Sequence, residues 1–268
     1  MQEAERPLLS EHTVAEAARA AGLRAPVHFK QVTGSTNADL QAMAADGAPE
    51  WTTVVAAEQV AGRGRLGRSW VSPAGSSLSV SVLLRPAMEP DRAPVLSLLA
   101  ALVAAEACEA ACGVAARCKW PNDVVVGERK LAGVLLEAAV RDGRLEHVVL
   151  GVGVNLSQRV EDFPPDLRAS ATTVALEGGN DDAPALLREF LSGLERRYGS
   201  GDARAPADWL EAYRARSATL GKRVLATRTD GRSIEGDAAA IGEAGELIVR
   251  RNGGETVTVG FGEIEHLR

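Results

Sequence analysis

A chain of 268 residues and 28.1 kDa, 46% hydrophobic and 25% charged, suffices for one large domain with a small appendage, and its composition argues against wholesale disorder. Its net charge of −6 argues against a general nucleic-acid binder, while leaving room for a local basic loop. Of its 30 basic residues only four are lysine (Lys30, Lys119, Lys130 and Lys222), so a lysine inside a dense motif draws notice.

In chain order, residues 12 to 22 read as a short Ala-rich helix ended by Gly22, and Val27 to Val32 as a strand. Met1 to Ser10 holds Glu3 and Glu5 and no apolar core, which is no secretory signal. Gly34-Ser35-Thr36-Asn37 supplies cap residues for a helix from Ala38 to Ala45. Trp51 to Glu58 is a buried-strand pattern, Gln59 to Ser76 a long Gly-rich loop, and Ser77 to Leu84 a clean alternation. Pro94 to Cys112 reads as a central apolar helix; its apolar run meets Glu106 and Glu109 and is too short to span a bilayer. Cys108, Cys112 and Cys118 have no His between residues 28 and 147 to complete a metal set, so they read as small buried residues in a reducing cytoplasm.

Ala115 to Trp120 is a strand cut off by Pro121. Asp123–Val126 and Leu131–Glu137 form a hairpin around Gly127, and Leu145 to Leu156 a further strand or strand pair. Two amphipathic helices, residues 185–198 and 206–220, flank a turn near Gly199 to Asp202. After Lys222, short strands with turn signals at Asp230-Gly231 and Asn252-Gly253 make a small barrel. The expected architecture is α+β: a mixed-sheet domain over residues 1–217 and a small β domain over 218–268.

Five segments carry chemistry. In Gly62-Arg63-Gly64-Arg65-Leu66-Gly67-Arg68-Ser69-Trp70, glycines allow close backbone approach and alternating arginines offer forks for phosphate oxygens. Trp70 could cover a nucleobase. The segment contains GxGxxG, but Ser69 to Pro73 opens no helix, which weakens a dinucleotide-binding oxidoreductase reading. In Lys119-Trp120-Pro121-Asn122-Asp123, a lysine at a strand end could stabilise charge on a carboxylate or phosphate. Ser35, Thr36 and Asn37, with Gln59, offer neutral polar groups to a neutral ligand, although a plain helix cap explains the first three equally. In Arg129-Lys130-Leu131-Ala132-Gly133, Gly133 suggests a close approach, and Gly151-Val152-Gly153-Val154 ends at the amide of Asn155.

Together and in this order, GSTN, a Gln before GRGRxGRxW, SLSVSVLLRP, KWPNDVVVGERKLAGVLLE and GVGVN resemble the biotin protein ligases over about residues 27 to 157. The small C-terminal module fits that family's SH3-like domain. The resemblance implies ATP-dependent formation of biotinyl-5′-AMP, then transfer of biotin to one lysine of a biotin carboxyl carrier domain. It implies biotin contacts for Ser35, Thr36, Asn37, Gln59, Arg63, Gly64, Arg65, Lys119 and Gly133. It implies ATP or adenylate contacts for Arg63, Arg65, Arg68, Trp70, Lys119, Asn122 and Asn155, with Lys119 and Arg65 catalytic and Asp123 a weaker candidate. Mg²⁺ would arrive on the phosphates rather than on a protein metal site. Residues 1 to 26 are too few for a winged helix before the first strand, so a monofunctional cytoplasmic ligase without DNA or membrane partners is expected, compatible with a homodimer through the catalytic sheet. The alternatives are a lipoate–protein ligase of the same superfamily and a non-enzymatic biotin-binding regulator.

Overall fold

The alternation of Ser77 to Leu84 decides the centre of the molecule. Leu78, Val80, Val82 and Leu84 share one face with Val148, Leu150, Val152 and Val154, and all eight are buried in one core. The computed structural model describes residues 8–199, 207–228, 230–260 and 262–267. Its larger sheet comprises β1 (Val27–Lys30), β2 (Thr53–Ala56), β3 (Ser77–Leu84), β4 (Arg117–Lys119), β5 (Asp123–Val126), β6 (Arg129–Arg141) and β7 (Arg144–Asn155). The order is β1-β2-β3-β7-β6-β5-β4, with β1 and β2 parallel and the other neighbours antiparallel. This is the mixed sheet expected of an α+β chain.

Five helices accompany it: α1 (Glu11–Ala20), α2 (Thr36–Ala45), α3 (Val95–Cys112), α4 (Ala183–Leu194) and α5 (Ala207–Ala215). The central helix α3 is apolar on nearly every side, because β5, β6, β7, α4 and α5 surround it. With Pro90–Arg92 it is long and apolar enough to cross a membrane, yet it is core material. Cys108, Cys112 and Cys118 are free and buried, and burial pushes the Cys112 and Cys118 thiols up to about 12. The opposite sheet face carries a smaller cluster, in which Leu40 and Ala44 of α2 meet Val54, Leu83 and Val149.

Residues 223–266 form a second sheet: β8 (Arg223–Arg228), β9 (Ser233–Ile241), β10 (Leu247–Arg250), β11 (Thr256–Val259) and β12 (Gly262–His266), in antiparallel order β11-β10-β9-β8-β12. β12 was not expected from the sequence. The helix expected to reach Leu220 stops at Ala215, because the following backbone pairs with β4: Cys118 N–H donates to Arg216 O (3.0 Å) and Ala218 N–H to Cys118 O (2.7 Å). The helix expected to reach Tyr198 ends at Leu194 and continues as a wider π-type turn to Gly199. Beyond Gly199, the turn expected near Gly199 to Asp202 lies outside the described residues.

Candidate functional site

The sheet register lines up the floor of a cleft. Ser79, Gly153, Gly133, Asp123 and Lys119 are consecutive partners across β3, β7, β6, β5 and β4. Ser81, Gly151 and Leu135 form the next row on the same face, away from α3. Serine and glycine keep this floor low. A Cβ on Gly153 would stand 2.5 Å from Trp70 Cε2, and one on Gly133 3.3 Å from Trp70 Cζ3, so the indole lies on the two glycines. A Cβ on Gly151 would stand 2.1 Å from Asn37 Oδ1.

The start of α2 forms a neutral polar wall. Ser35 is the N-cap, but its side chain bonds no backbone N–H. Gln59 caps the helix instead: its Oε1 accepts from Thr36 N (2.9 Å) and Thr36 Oγ1 (3.1 Å), while Nε2 donates to Ser79 Oγ (3.2 Å). The plain-cap explanation therefore fails for Ser35. Asn37, which is buried, donates from Nδ2 to Leu135 O (3.2 Å) and Glu137 Oε2 (2.8 Å), and its Oδ1 lies 2.6 Å from Ser81 Oγ.

The Arg-rich loop arches over the floor. Gly64 N–H donates to Arg68 O (2.6 Å) and Trp70 N–H to Gly62 O (2.8 Å), and the loop contains only a single 3₁₀ turn, Arg65–Gly67. No helix opens at its glycines, so the dinucleotide geometry is absent here. Each arginine has a different anchor. Arg63 pairs with Glu137 (3.0 Å), and Arg68 pairs with Glu263 of β12. Arg65 donates to Asn122 Oδ1 (3.0 Å) and Gly262 O (3.2 Å), and its partial burial lowers its pKa without threatening its charge.

Two connected compartments result. The smaller, about 50 Å³ in this conformation, is lined by Ser35, Thr36, Asn37, Gln59, Arg63, Gly64 and Gly133. The larger, about 450 Å³, is lined by Arg68, Lys119, Asp123 and Asn155. Gly64, Arg65, Trp70, Asn122 and Lys130 line both. Arg63 thus reaches only the first compartment and Lys119 only the second. Among the described residues Lys119 has no ion-pair partner. Asn155 faces the larger compartment, but its amide is engaged with Thr172 O (3.0 Å) and Gln158 Nε2 (3.4 Å). Asn122 is also tied down, donating to Val134 O at 2.8 Å.

Sequence reasoning passed over Lys130 and Glu137. Lys130 Nζ sits 2.6 Å from Asp123 Oδ1 and 5.6 Å from the Trp70 ring centroid, at the junction of the compartments. Strict alternation from Gly133 would turn Lys130 to the opposite face. A bulge at Leu131 rephases it, since Val124 pairs with Ala132 and Val125 with Lys130. Its scarcity among the basic residues was the one available signal.

The site is thus a compartment walled by the neutral side chains at the start of α2, meeting a larger one where Arg65, Arg68, Lys119 and Lys130 stand among carboxylates, on a mixed sheet with a small β module alongside. Residues 29–155 match the model of the biotin/lipoate A/B protein ligase family, and residues 219–267 that of the biotin protein ligase C-terminal domain. The chain is 38% identical over 248 residues to the biotin–[acetyl-CoA-carboxylase] ligase of Mycobacterium tuberculosis, covering 88% of this chain and 87% of that one. It is 37% identical to the ligase of the same name from Paracoccus denitrificans, covering 84% and 94%. Against the bifunctional ligase/repressor of Bacillus spizizenii it is 36% identical over 63% of its own length, and it spans about half of that relative (53%). In fold it resembles the Aquifex aeolicus biotin protein ligase solved with biotin and ATP, with a TM-score of 0.74, 24% identity, and 90% and 99% of the two chains covered. The chain belongs to the biotin protein ligase family.

Proposed function

We propose that this chain joins biotin to ATP and transfers the biotin to a lysine of a biotin carboxyl carrier domain. The observation that carries this is the pair of compartments meeting at Arg65, Trp70 and Lys130. A ureido ring is neutral and polar and suits Ser35, Thr36, Asn37 and Gln59. A triphosphate suits Arg65, Arg68, Lys119 and Lys130. The biotin carboxylate oxygen attacks the α-phosphorus and pyrophosphate leaves. The carrier amine then attacks the acyl carbon, a proton is lost from nitrogen, and AMP leaves. Both reactants of the first step are anionic, so the cations lower the repulsion between them and stabilise charge growing on the α-phosphate. Arg63, with Gly64, straps the ureido end, and Trp70, across the floor glycines, shields the mixed anhydride from water.

Among the described residues no group of three or more His, Cys, Asp or Glu is placed to hold a metal ion. Mg²⁺ would be held by the phosphate oxygens of ATP, where it would offset part of their charge. We place the domain division at 217/218, supported by the backbone pairing of Ser217 with Cys118 and by the match of the C-terminal family model from residue 219. We also infer a cytoplasmic enzyme that binds no operator DNA, in keeping with the charge of −6; a gel shift showing tight operator binding would overturn that part.

The test is biotin-dependent exchange of pyrophosphate into ATP, with lipoate as comparator, followed by mass spectrometry of a carrier domain. Exchange with biotin and a single-lysine mass increase are expected. Exchange with lipoate alone would instead make the chain a lipoate ligase, and biotin binding without exchange would make it a non-enzymatic binder.

A further inference from the structure

We propose that Glu137 is a positioning residue that sets the polarity of the Asn37 amide and holds Arg63 at the mouth of the smaller compartment; this rests on the biotin reading above. Two acceptors, Leu135 O and Glu137 Oε2, stand on one side of the Asn37 amide, and the Ser81 hydroxyl stands on the other. An amide has two N–H donors and two lone pairs on oxygen. Both donors are spent on the sheet, and one lone pair remains for a ligand. Turned over, the amide would aim its oxygen at a carboxylate and a carbonyl, so the surroundings permit one orientation. Asn37 therefore offers an acceptor, which selects a ligand N–H such as the ureido ring carries. Glu137 makes that choice steep, because it alone among these partners is charged.

The same Glu137 oxygen accepts from Arg63 at 3.0 Å. This pair is half exposed, at 43% for Arg63 and 29% for Glu137, so it contributes little to stability. Its effect is placement: one carboxylate joins the wall at the start of α2 to the first arginine of the loop. Glu137 lies four residues along β6 from Gly133, about 13 Å at strand spacing. Its charge thus stands at the end of the cleft walled by the start of α2, away from where a triphosphate would lie.

Three variants are compared with wild type in pyrophosphate exchange: Asn37→Asp, Glu137→Gln and the double variant. Asn37→Asp alone sets two carboxylates in contact, and KM for biotin should rise about a hundredfold. In the double variant the new amide at 137 donates to the new carboxylate at 37, which still offers an acceptor to the ligand, while Leu135 O loses its donor. KM should return to within about tenfold of wild type, with kcat and KM for ATP moving far less. A folded double variant no better than Asn37→Asp would overturn the proposal. If Asn37→Asp fails to fold, Glu137→Gln and Glu137→Asp decide. The first should raise KM for biotin about tenfold and the second should recover part of the loss; an unchanged KM in Glu137→Gln overturns the role. Wild type without biotin-dependent exchange would overturn the functional reading itself, whereas wild-type exchange with no rescue overturns only the role of Glu137.

Discussion

Lys119 ends β4, lines the larger compartment, and has no ion-pair partner among the described residues. Replacing it should therefore cost chemistry and not folding. In Lys119→Ala, kcat for pyrophosphate exchange should fall about a hundredfold with an unchanged melting temperature; a near-wild-type rate would remove it from the catalytic group. Gly151→Ala tests the floor. Its Cβ would stand 2.1 Å from Asn37 Oδ1, so the amide must move. KM for biotin should rise at least about tenfold, with a stability loss of about 1–3 kcal/mol from overpacking. At this scale unusual composition marked residues that the structure gathers around the cleft: the Arg-rich loop, the lysine of KWPND, and glycines in strands. The sequence was read poorly where a side chain's direction depends on the ladder. Gly133 was singled out and its neighbour Lys130 was not, because a bulge at Leu131 is a property of two paired strands.

At the scale of elements, α3 is the strongest signal and carries the heaviest burial. Leu96, Leu98, Leu99 and Leu102 are all inaccessible, so the helix packs around its whole circumference. Leu99→Ala should destabilise the protein by about 2–5 kcal/mol, read as a lower urea midpoint at constant m-value. A loss below about 0.5 kcal/mol would mean that the helix is not packed as described. The start of α2 shows the limit of local rules. Ser35 occupies a favoured capping position, yet the cap bond comes from Gln59, 23 residues from Thr36. That leaves the Ser35 hydroxyl out of the cap, on the wall of the smaller compartment, and no local pattern could separate this from ordinary capping. β12 escaped notice because five residues of weak alternation become a strand only when β8 lies alongside to pair with them.

At the scale of the whole molecule, the C-terminal sheet is tied to the cleft. Trp120 Nε1 donates to Gly245 O (2.8 Å), Arg65 to Gly262 O, and Lys222 pairs with Glu128, which also meets His266 Nδ1 at 3.2 Å. Two histidines make stability depend on pH. Burial depresses the pKa of His266, against the Glu128 contact, and of His147, assisted by Arg85. The unfolded chain then binds more protons than the folded one below the ordinary value of 6.5. Their contribution is complete above that pH and is lost as the pH falls through the depressed folded values. The urea midpoint should drop between about pH 7.5 and about pH 5.5, and less so in His147→Gln; equal slopes in the two proteins would exclude His147 as a source.

By itself the sequence determined the class of fold, the order of most elements, the family, and the residue types that line the cleft, because periodicity, turn chemistry and dense motifs are local properties of a chain. Only the tertiary structure decided that these motifs form two compartments on one glycine and serine floor, that Lys130 stands where they meet while Glu137 ties Asn37 to Arg63, and that a late strand anchors the loop. Those facts depend on strand register and on contacts such as that between Arg65 and Gly262, 197 residues apart, which sequence spacing does not encode.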